Sequence, residues 1–449
     1  MKLNIQHFLL LVAGFFSEVS YAQDKMLMFD LEKFVLAVKE NNLQLKIAKN
    51  NSSMAALSIK EAIAALLPQI NGQAGAKRNF NKQYIFFESP DFANIDPVTG
   101  EVPVSMQRFK ANFNNDFQAH LLLQQNLFSL KNMYDLKSAR QYYTIEKLQN
   151  ADRETAIIAE AKKAFLQTVL MQKVYEISKI AEDIAKSNYT DAKNKYENRL
   201  ISELELLQAK IRWEEEIPKL LQAERNYLTL LGNLKIIAGI NPTDSIGLHH
   251  DLAVYQYNKS GINAKDAISN RLDYKALEAN TQLQQLNMKN KQFEYYPSLS
   301  VDAGYSYFSS SDEWTVTENQ NKLLYANATL AIPVFSGGYR KSQLSKAKIL
   351  LNNAMLEKQE AQLSMTIEIE HLEMRLAEEY KTIQVARSIQ QTAKKAYNIG
   401  VETAKSGLIS QLDLRKISND YKRAEINMYY TIYNFKCTQI AYNNAIANY

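Results

Sequence analysis

Leu200 to Leu207 reads LISELELL, and Gly407 to Arg415 reads GLISQLDLR. The two stretches share apolar residues, a serine and an acid at matching places, 208 positions apart (409 − 201). Such a match is the mark of an internal repeat, and a repeat fixes the architecture before any single residue is interpreted. Upstream, NNLQLK (Asn41 to Lys46) echoes NRLDYK (Asn270 to Lys275), and LLPQI (Leu66 to Ile70) echoes YYPSL (Tyr295 to Leu299), both at an offset of 229 (272 − 43; 297 − 68). Further on, NLFSL (Asn126 to Leu130) echoes PVFSG (Pro333 to Gly337) at 207 (335 − 128). The span from Pro to Phe-Ser is 60 residues in the first copy (128 − 68) and 38 in the second (335 − 297). Length variation of that kind belongs to an exposed loop.

Composition limits what the repeat can be. Of 449 residues 46% are apolar, enough for burial, and the net charge of +5 is spread without a basic block, so nucleic-acid binding is not expected. Only 13 Gly and 8 Pro imply long uninterrupted elements, and the 26 Tyr are unusually many. The chain opens MKLNIQHFLLLVAGFFSEVSYAQ: a lysine, an apolar core, then Ser20-Tyr21-Ala22 before a cut at Gln23. This is the layout of a secretory signal peptide over residues 1–22, with no cysteine after the cut to take a lipid. Beyond it no apolar run approaches the roughly 18 residues of a membrane-spanning helix. An exported chain of this kind is periplasmic, secreted or inserted as a β-barrel.

From Ser129 to about Tyr196, and from Gly337 to about Ala404, Ala, Leu, Glu, Lys and Gln dominate without proline. In the second copy Met365, Ile369, Leu372, Leu376, Tyr380 and Ile383 fall on one helical face, with a coiled-coil-like seam on part of it. The octet then becomes the tip of an antiparallel helix hairpin. Gly407 is suited to a left-handed C-cap, Ser410 to the N-cap of the returning helix. Between Pro and Phe-Ser the period changes to two. Leu299, Val301, Ala303, Tyr305 and Tyr307 alternate with polar residues, as do Leu324, Ala326, Ala328, Leu330 and Ile332 with Tyr325, Asn327 and Thr329; Phe117 to Gln124 keeps part of the pattern. Each run approaches the 9–11 residues of a tilted bilayer-crossing strand, and aromatic residues (Tyr84, Phe86, Phe87, Phe308, Trp314) gather near the turns. A soluble sheet with one wet face writes the same pattern. Export, and the lack of another apolar surface for the sheet to cover, favour the membrane. Four strands cannot close a barrel, so several chains must share one: two give eight strands, three give twelve and a channel.

The predicted domains are the leader 1–22; a first repeat 23–231, with strands within 68–128 and a helical hairpin 129–231; a linker 232–269; and a second repeat 270–449, with strands within 297–336 and a hairpin 337–445. On the order helix–strand–strand–helix–helix written twice, on PVFSGG (Pro333 to Gly338) and on SGLISQLDLR (Ser406 to Arg415), the mature chain resembles the TolC-like outer membrane efflux protein family. The resemblance implies a mainly α fold with a small β part, a homotrimer with a 12-stranded barrel in outer membrane lipid, and an α-helical tunnel through the periplasm. It implies an exit duct without cofactor or catalytic residues, docked on a periplasmic membrane-fusion adaptor and, through it, on an inner-membrane transporter of the RND, ABC or MFS type. The expected adaptor contacts are the tips, Arg199, Leu200, Ile201 and Ser202 with Gly407, Leu408, Ile409 and Ser410. An acidic ring at the entrance maps to Asp413 and Glu205. The sequence departs from the family where Arg199 replaces a usual Gly, Ala404 a frequent Tyr, and Lys416 the second Asp of some members, which tells against a doubled ring.

Like charges from several copies of Asp413 or Glu205 repel in a closed aperture unless cations such as Arg415, Lys416 or Lys405 pair with them. A solvated helix face is the plainer reading of any one of these charges. No nucleophile-elbow, P-loop, dinucleotide or HExxH motif is present. His249-His250-Asp251 lies in the linker, where a turn is the expected role, the 12 Met form no cluster, and Cys437 reads as a small buried apolar residue. Two alternatives stay open: an exported structural coiled-coil protein, and, within the channel class, a type I protein-secretion conduit rather than a small-molecule duct.

Overall fold

The computed structural model describes residues 27–252, 263–406 and 408–448; the predicted leader and Gly407 lie outside them, as does the side chain of Lys405. In chain order the elements are β1 (Leu27–Phe29), α1 (Leu31–Asn41), α2 (Leu43–Ala64), β2 (Gln69–Arg78), β3 (Tyr84–Pro90), β4 (Val104–Lys110), β5 (Asn115–Phe128), α3 (Leu130–Glu197) and α4 (Glu203–Ala238). There follow β6 (Ile246–Leu248), α5 (Ala264–Asn270), α6 (Leu272–Phe293), β7 (Ser298–Ser311), β8 (Asn321–Ala331), α7 (Tyr339–Lys405) and α8 (Gln411–Ala445). Two copies of helix, strand pair, long helix and returning helix are thus present. The first copy's returning helix runs on to Ala238, into what the sequence suggested was linker, and ends on a left-handed Gly239. No described helix is long and apolar enough to cross a membrane.

The chain divides into two compact units, one of Asn51–Lys147 with Ala276–Gln359, the other of the remaining segments. In the first, four antiparallel strands lie in the order β2-β5-β7-β8. Their register carries the alternation across the whole sheet: Ile70, Leu123, Ala303 and Ala326 stand in one row, and Gln69, Gln124, Asp302 and Asn327 in the next. Since neighbouring residues point to opposite faces, one face is apolar and the other polar. Strands of 10, 14, 14 and 11 residues meet the crossing length. Among the described strands nothing pairs with the outer side of β2 or of β8. The extra length of the first copy forms a separate two-stranded ribbon, β3 with β4. Lys110 ties its base to the β7–β8 loop through Asp312 Oδ2, 2.6 Å away. Helical parts of this unit interlock by polar side chains: buried Asn290 donates to the Lys131 carbonyl (3.1 Å) and to Asp135 Oδ1 (2.7 Å). At the exit of β8, Gly337 and Gly338 have φ of 59° and 84°, values that L side chains resist, so the PVFSGG stretch turns the chain into α7.

In the second unit each repeat has its own core. Phe34, Phe165, Leu170, Leu234 and Leu252 form one, with the short parallel pair β1–β6 against it. Ile369, Ile383, Ile432 and Phe435 form the other, and the predicted seam from Met365 to Ile383 lies in it. Fully burying such side chains stabilises by about 1.5–3 kcal/mol each, which is what holds long helices that are weak alone. Arg271 bridges Asp273 and Glu368 at 2.8 and 2.7 Å beside this core, its guanidinium nearly buried.

Candidate functional site: the paired hairpin tips

Both tips are built from the same parts. At the end of α3 the Leu200 N–H donates to the Lys195 carbonyl at 2.8 Å, and at the end of α7 the Leu408 N–H donates to the Thr403 carbonyl at 3.0 Å. This six-to-one closure satisfies carbonyls that a helix end leaves orphaned. Arg199 fills the left-handed position of the first tip with φ 57°, a conformation costing a non-glycine residue roughly 1–2 kcal/mol. Ser202 then caps α4: its hydroxyl accepts from the Glu205 N–H (3.3 Å), and Glu205 Oε2 accepts from the Ser202 N–H (3.0 Å). Ser410 caps α8, its hydroxyl accepting from the Asp413 N–H (3.1 Å) and donating to Asp413 Oδ2 (2.7 Å). The two acids read as an aperture ring are therefore also capping residues. In a single chain each is tied to its own serine.

Leu200 and Leu204 of the first tip are 73% and 65% exposed, and their counterparts Leu408 and Leu412 are 76% and 67%. Ile201 and Ile409 are half-buried, and Lys416 is exposed. Matching apolar residues thus stand in solvent at both ends. Laterally, Arg415 Nη2 meets Glu215 Oε2 at 2.9 Å rather than Asp413 or Glu205, and Lys422 Nζ meets Glu216 Oε2 at 2.8 Å. These pairs join the returning helices α4 and α8. Burial raises the pKa of Glu216, but hydrogen bonds from Lys219 and Lys422 outweigh it and hold the carboxyl below its ordinary range. Arg212 nearby is lowered by burial and by Arg415.

Inside each hairpin, rings lock the two helices. Tyr189 stacks on Trp213 and Tyr397 on Tyr421, with centroids 5.4 Å apart in both. Trp213 Nε1 also donates to Glu182 Oε1 at 2.6 Å. Nearer the base, Tyr429, Tyr433 and Ile440 of α8 also pack against the first repeat's core, so ion pairs are the link towards the tips and apolar packing the link below them.

The family model described as outer membrane efflux protein matches residues 263–439. That match covers much of the second repeat. Over 93% of its length the chain is similar in fold to the Campylobacter jejuni CmeC outer membrane channel, at 19% identity and a TM-score of 0.73 over 85% of that chain. It is similar to the open state of the Neisseria gonorrhoeae MtrE outer membrane channel (15% identity, TM-score 0.71, 93% of this chain and 88% of that one). It is similar also to the outer membrane protein VceC of Vibrio cholerae (15%, 0.67, 93% and 95%). The fold of the chain is accordingly TolC-like in both repeats. No curated protein matches the chain.

The sequence pattern did not point to the Glu215–Arg415 and Glu216–Lys422 pairs or to either ring stack. The stacks carried a signal: 189 to 397 and 213 to 421 are each 208, the spacing of the octet. His250 of the linker packs its ring edge against Phe165, centroids 5.8 Å apart, and faces Lys436 Nζ at 3.4 Å. Among the described residues no group of three His, Cys, Asp or Glu is placed to hold a metal.

Proposed function

We propose that this protein is the outer-membrane exit duct of a tripartite efflux system. Three copies pool their four strands into one barrel, whose apolar face meets lipid and whose polar face lines water; the long helices continue the bore on the periplasmic side. The observation that carries this is the sheet itself: four strands, two chemically different faces and two outer edges left unpaired, in a chain with an efflux protein domain. Open edges cannot face lipid, so copies must supply each other's partners.

The exposed leucines of the tips fit an adaptor, and small molecules delivered by an inner-membrane transporter are the cargo, moving passively. Closure rests on the Glu215–Arg415 and Glu216–Lys422 pairs, with Asp413 and Glu205 narrowing the entrance and Arg415, Lys416 and Lys405 moderating their repulsion. Opening separates the returning helices. Purified protein in a planar bilayer tests the reading: a heat-modifiable trimer with discrete conductance is expected, and a monomer soluble without detergent overturns it.

A further inference from the structure

The charges of the first copy's extra segment are sorted along the β3–β4 ribbon. Lys77, Arg78, Lys82, Arg108 and Lys110 stand at its base, whereas from Gln83 to Gln107 the only charges are Glu88, Asp91, Asp96 and Glu101. Lys110 is occupied by Asp312; the other four cations are exposed and make no ion pair among the described residues. Register sorts the faces as well. Tyr84 lies opposite Lys110 and Phe86 opposite Arg108, so aromatic and cationic side chains share one face, with the Arg108 guanidinium 5.1 Å over the Tyr84 ring. The other face carries Ile85, Phe87 and Phe109, the two phenylalanine rings stacked at 4.8 Å. Ile85 and Phe86 are each 60% exposed. A two-stranded ribbon is marginal in water by itself, so its fold implies a cover.

Charge complementarity names the cover. Unpaired guanidinium and ammonium groups beside exposed aromatic rings match phosphate at a membrane–water boundary, where aromatic residues settle and basic residues are drawn to anionic headgroups. The acidic tip is repelled by that same surface, which makes the ribbon stand with its base inward and its tip in water. We propose that the base of the β3–β4 ribbon is a seat for phosphate-bearing lipid headgroups of the outer leaflet, held by Arg78, which shares the apolar face of β2 with Ile70 and Ala76, and by Lys82 and Arg108. The seat rests on the outer-membrane reading above.

The test uses the full chain in detergent and the R78Q/K82Q/R108Q variant, with lipid retention counted by native mass spectrometry. The probes are diphosphorylated lipid A, the same lipid without its phosphates, and inorganic phosphate as competitor. Expected is retention of the phosphorylated lipid by the wild type, at least tenfold weaker in the variant and for the dephosphorylated lipid, and undisturbed by an equal concentration of inorganic phosphate. A charge-keeping R78K/K82R/R108K variant retains the lipid. Equal retention by wild type and a heat-modifiable, folded glutamine variant overturns the seat, and so does equal retention of the two lipids. Displacement by inorganic phosphate overturns it in favour of a free-anion site. Wild type that prefers phosphorylated lipid but forms no pore removes the channel reading instead, and a pore-former without that preference removes the seat.

Discussion

Tyr189 lies flat on Trp213, ring planes 14° apart, and the repeat sets Tyr421 under Tyr397 in the same manner 208 residues later. Stacked pairs contribute about 0.5–1.5 kcal/mol beyond the area they bury. A double-mutant cycle of Tyr189→Ala and Trp213→Ala is expected to give a coupling of about 1 kcal/mol in thermal unfolding of the purified protein. Strictly additive losses would show that the rings touch without supporting each other. Trp213→Phe keeps the ring and loses the bond to Glu182, so it separates the two contributions.

The lateral pairs differ in exposure. Side chains of Arg415 and Glu215 are 42% and 45% exposed, those of Lys422 and Glu216 only 22% and 14%. Exposed bridges are worth under about 1 kcal/mol, and breaking a more buried one also strands a charge. Glu216→Gln is therefore expected to raise closed-state conductance in a planar bilayer more than Glu215→Gln does. The swap of Glu215→Arg with Arg415→Glu should bring the leak back toward the wild-type level. A leak unchanged in all three variants removes these pairs from the gate.

Acid should act on the same joint. The folded pKa of Glu216 lies below its ordinary 4.5, so the stabilisation is complete above that ordinary value and is lost as pH falls through the lower folded value. Closed-state leak is expected to rise as the solution is taken below about pH 4, with a smaller rise in Glu216→Gln. Identical acid profiles for the two proteins would place the titrating group elsewhere.

Caps and charge can be separated at Glu205. Loss of an N-cap side chain costs about 1 kcal/mol, so Ser202→Ala and Ser410→Ala should each lower the thermal midpoint measurably. Glutamine still accepts from the Ser202 N–H. Glu205→Gln should therefore retain stability while weakening any cation preference of the pore, and Glu205→Ala should lose both. Reversal potentials under a salt gradient report the second quantity. Equal stability of the Gln and Ala variants would show that the cap contributes nothing.

Arg199 offers a gain. Its left-handed φ costs roughly 1–2 kcal/mol, partly offset by the backbone freedom a glycine adds to the unfolded chain. Arg199→Gly should stabilise the protein slightly, and Arg199→Val should destabilise it. A Val variant as stable as wild type would contradict the strain.

The repeat made much of this legible. The octet places both tips, the seam from Met365 to Ile383 is in the observed core, and the period-two runs around Leu299 and Leu324 are β7 and β8. The ribbon was not legible as strands, because Tyr84-Ile85-Phe86-Phe87 is apolar on both faces and shows no alternation. Pairing between hairpins was hidden too: Glu215 and Arg415 are 200 residues apart, and no local pattern links them. Glu205 shows a different limit. Ser202-x-x-Glu205 is a legible capping box, yet reading the acid by its charge alone drew attention away from the serine that holds it.

The bare flanks of β2 and β8 bear on how this protein is made. On the proposed reading, each copy carries two rows of hungry amides and carbonyls until its sisters arrive, and these would zip onto any passing extended segment. Escort and rapid threefold meeting would then be as necessary to biogenesis as folding, and once the proposed ring has shut, swapping one member for another would mean tearing two seams at once.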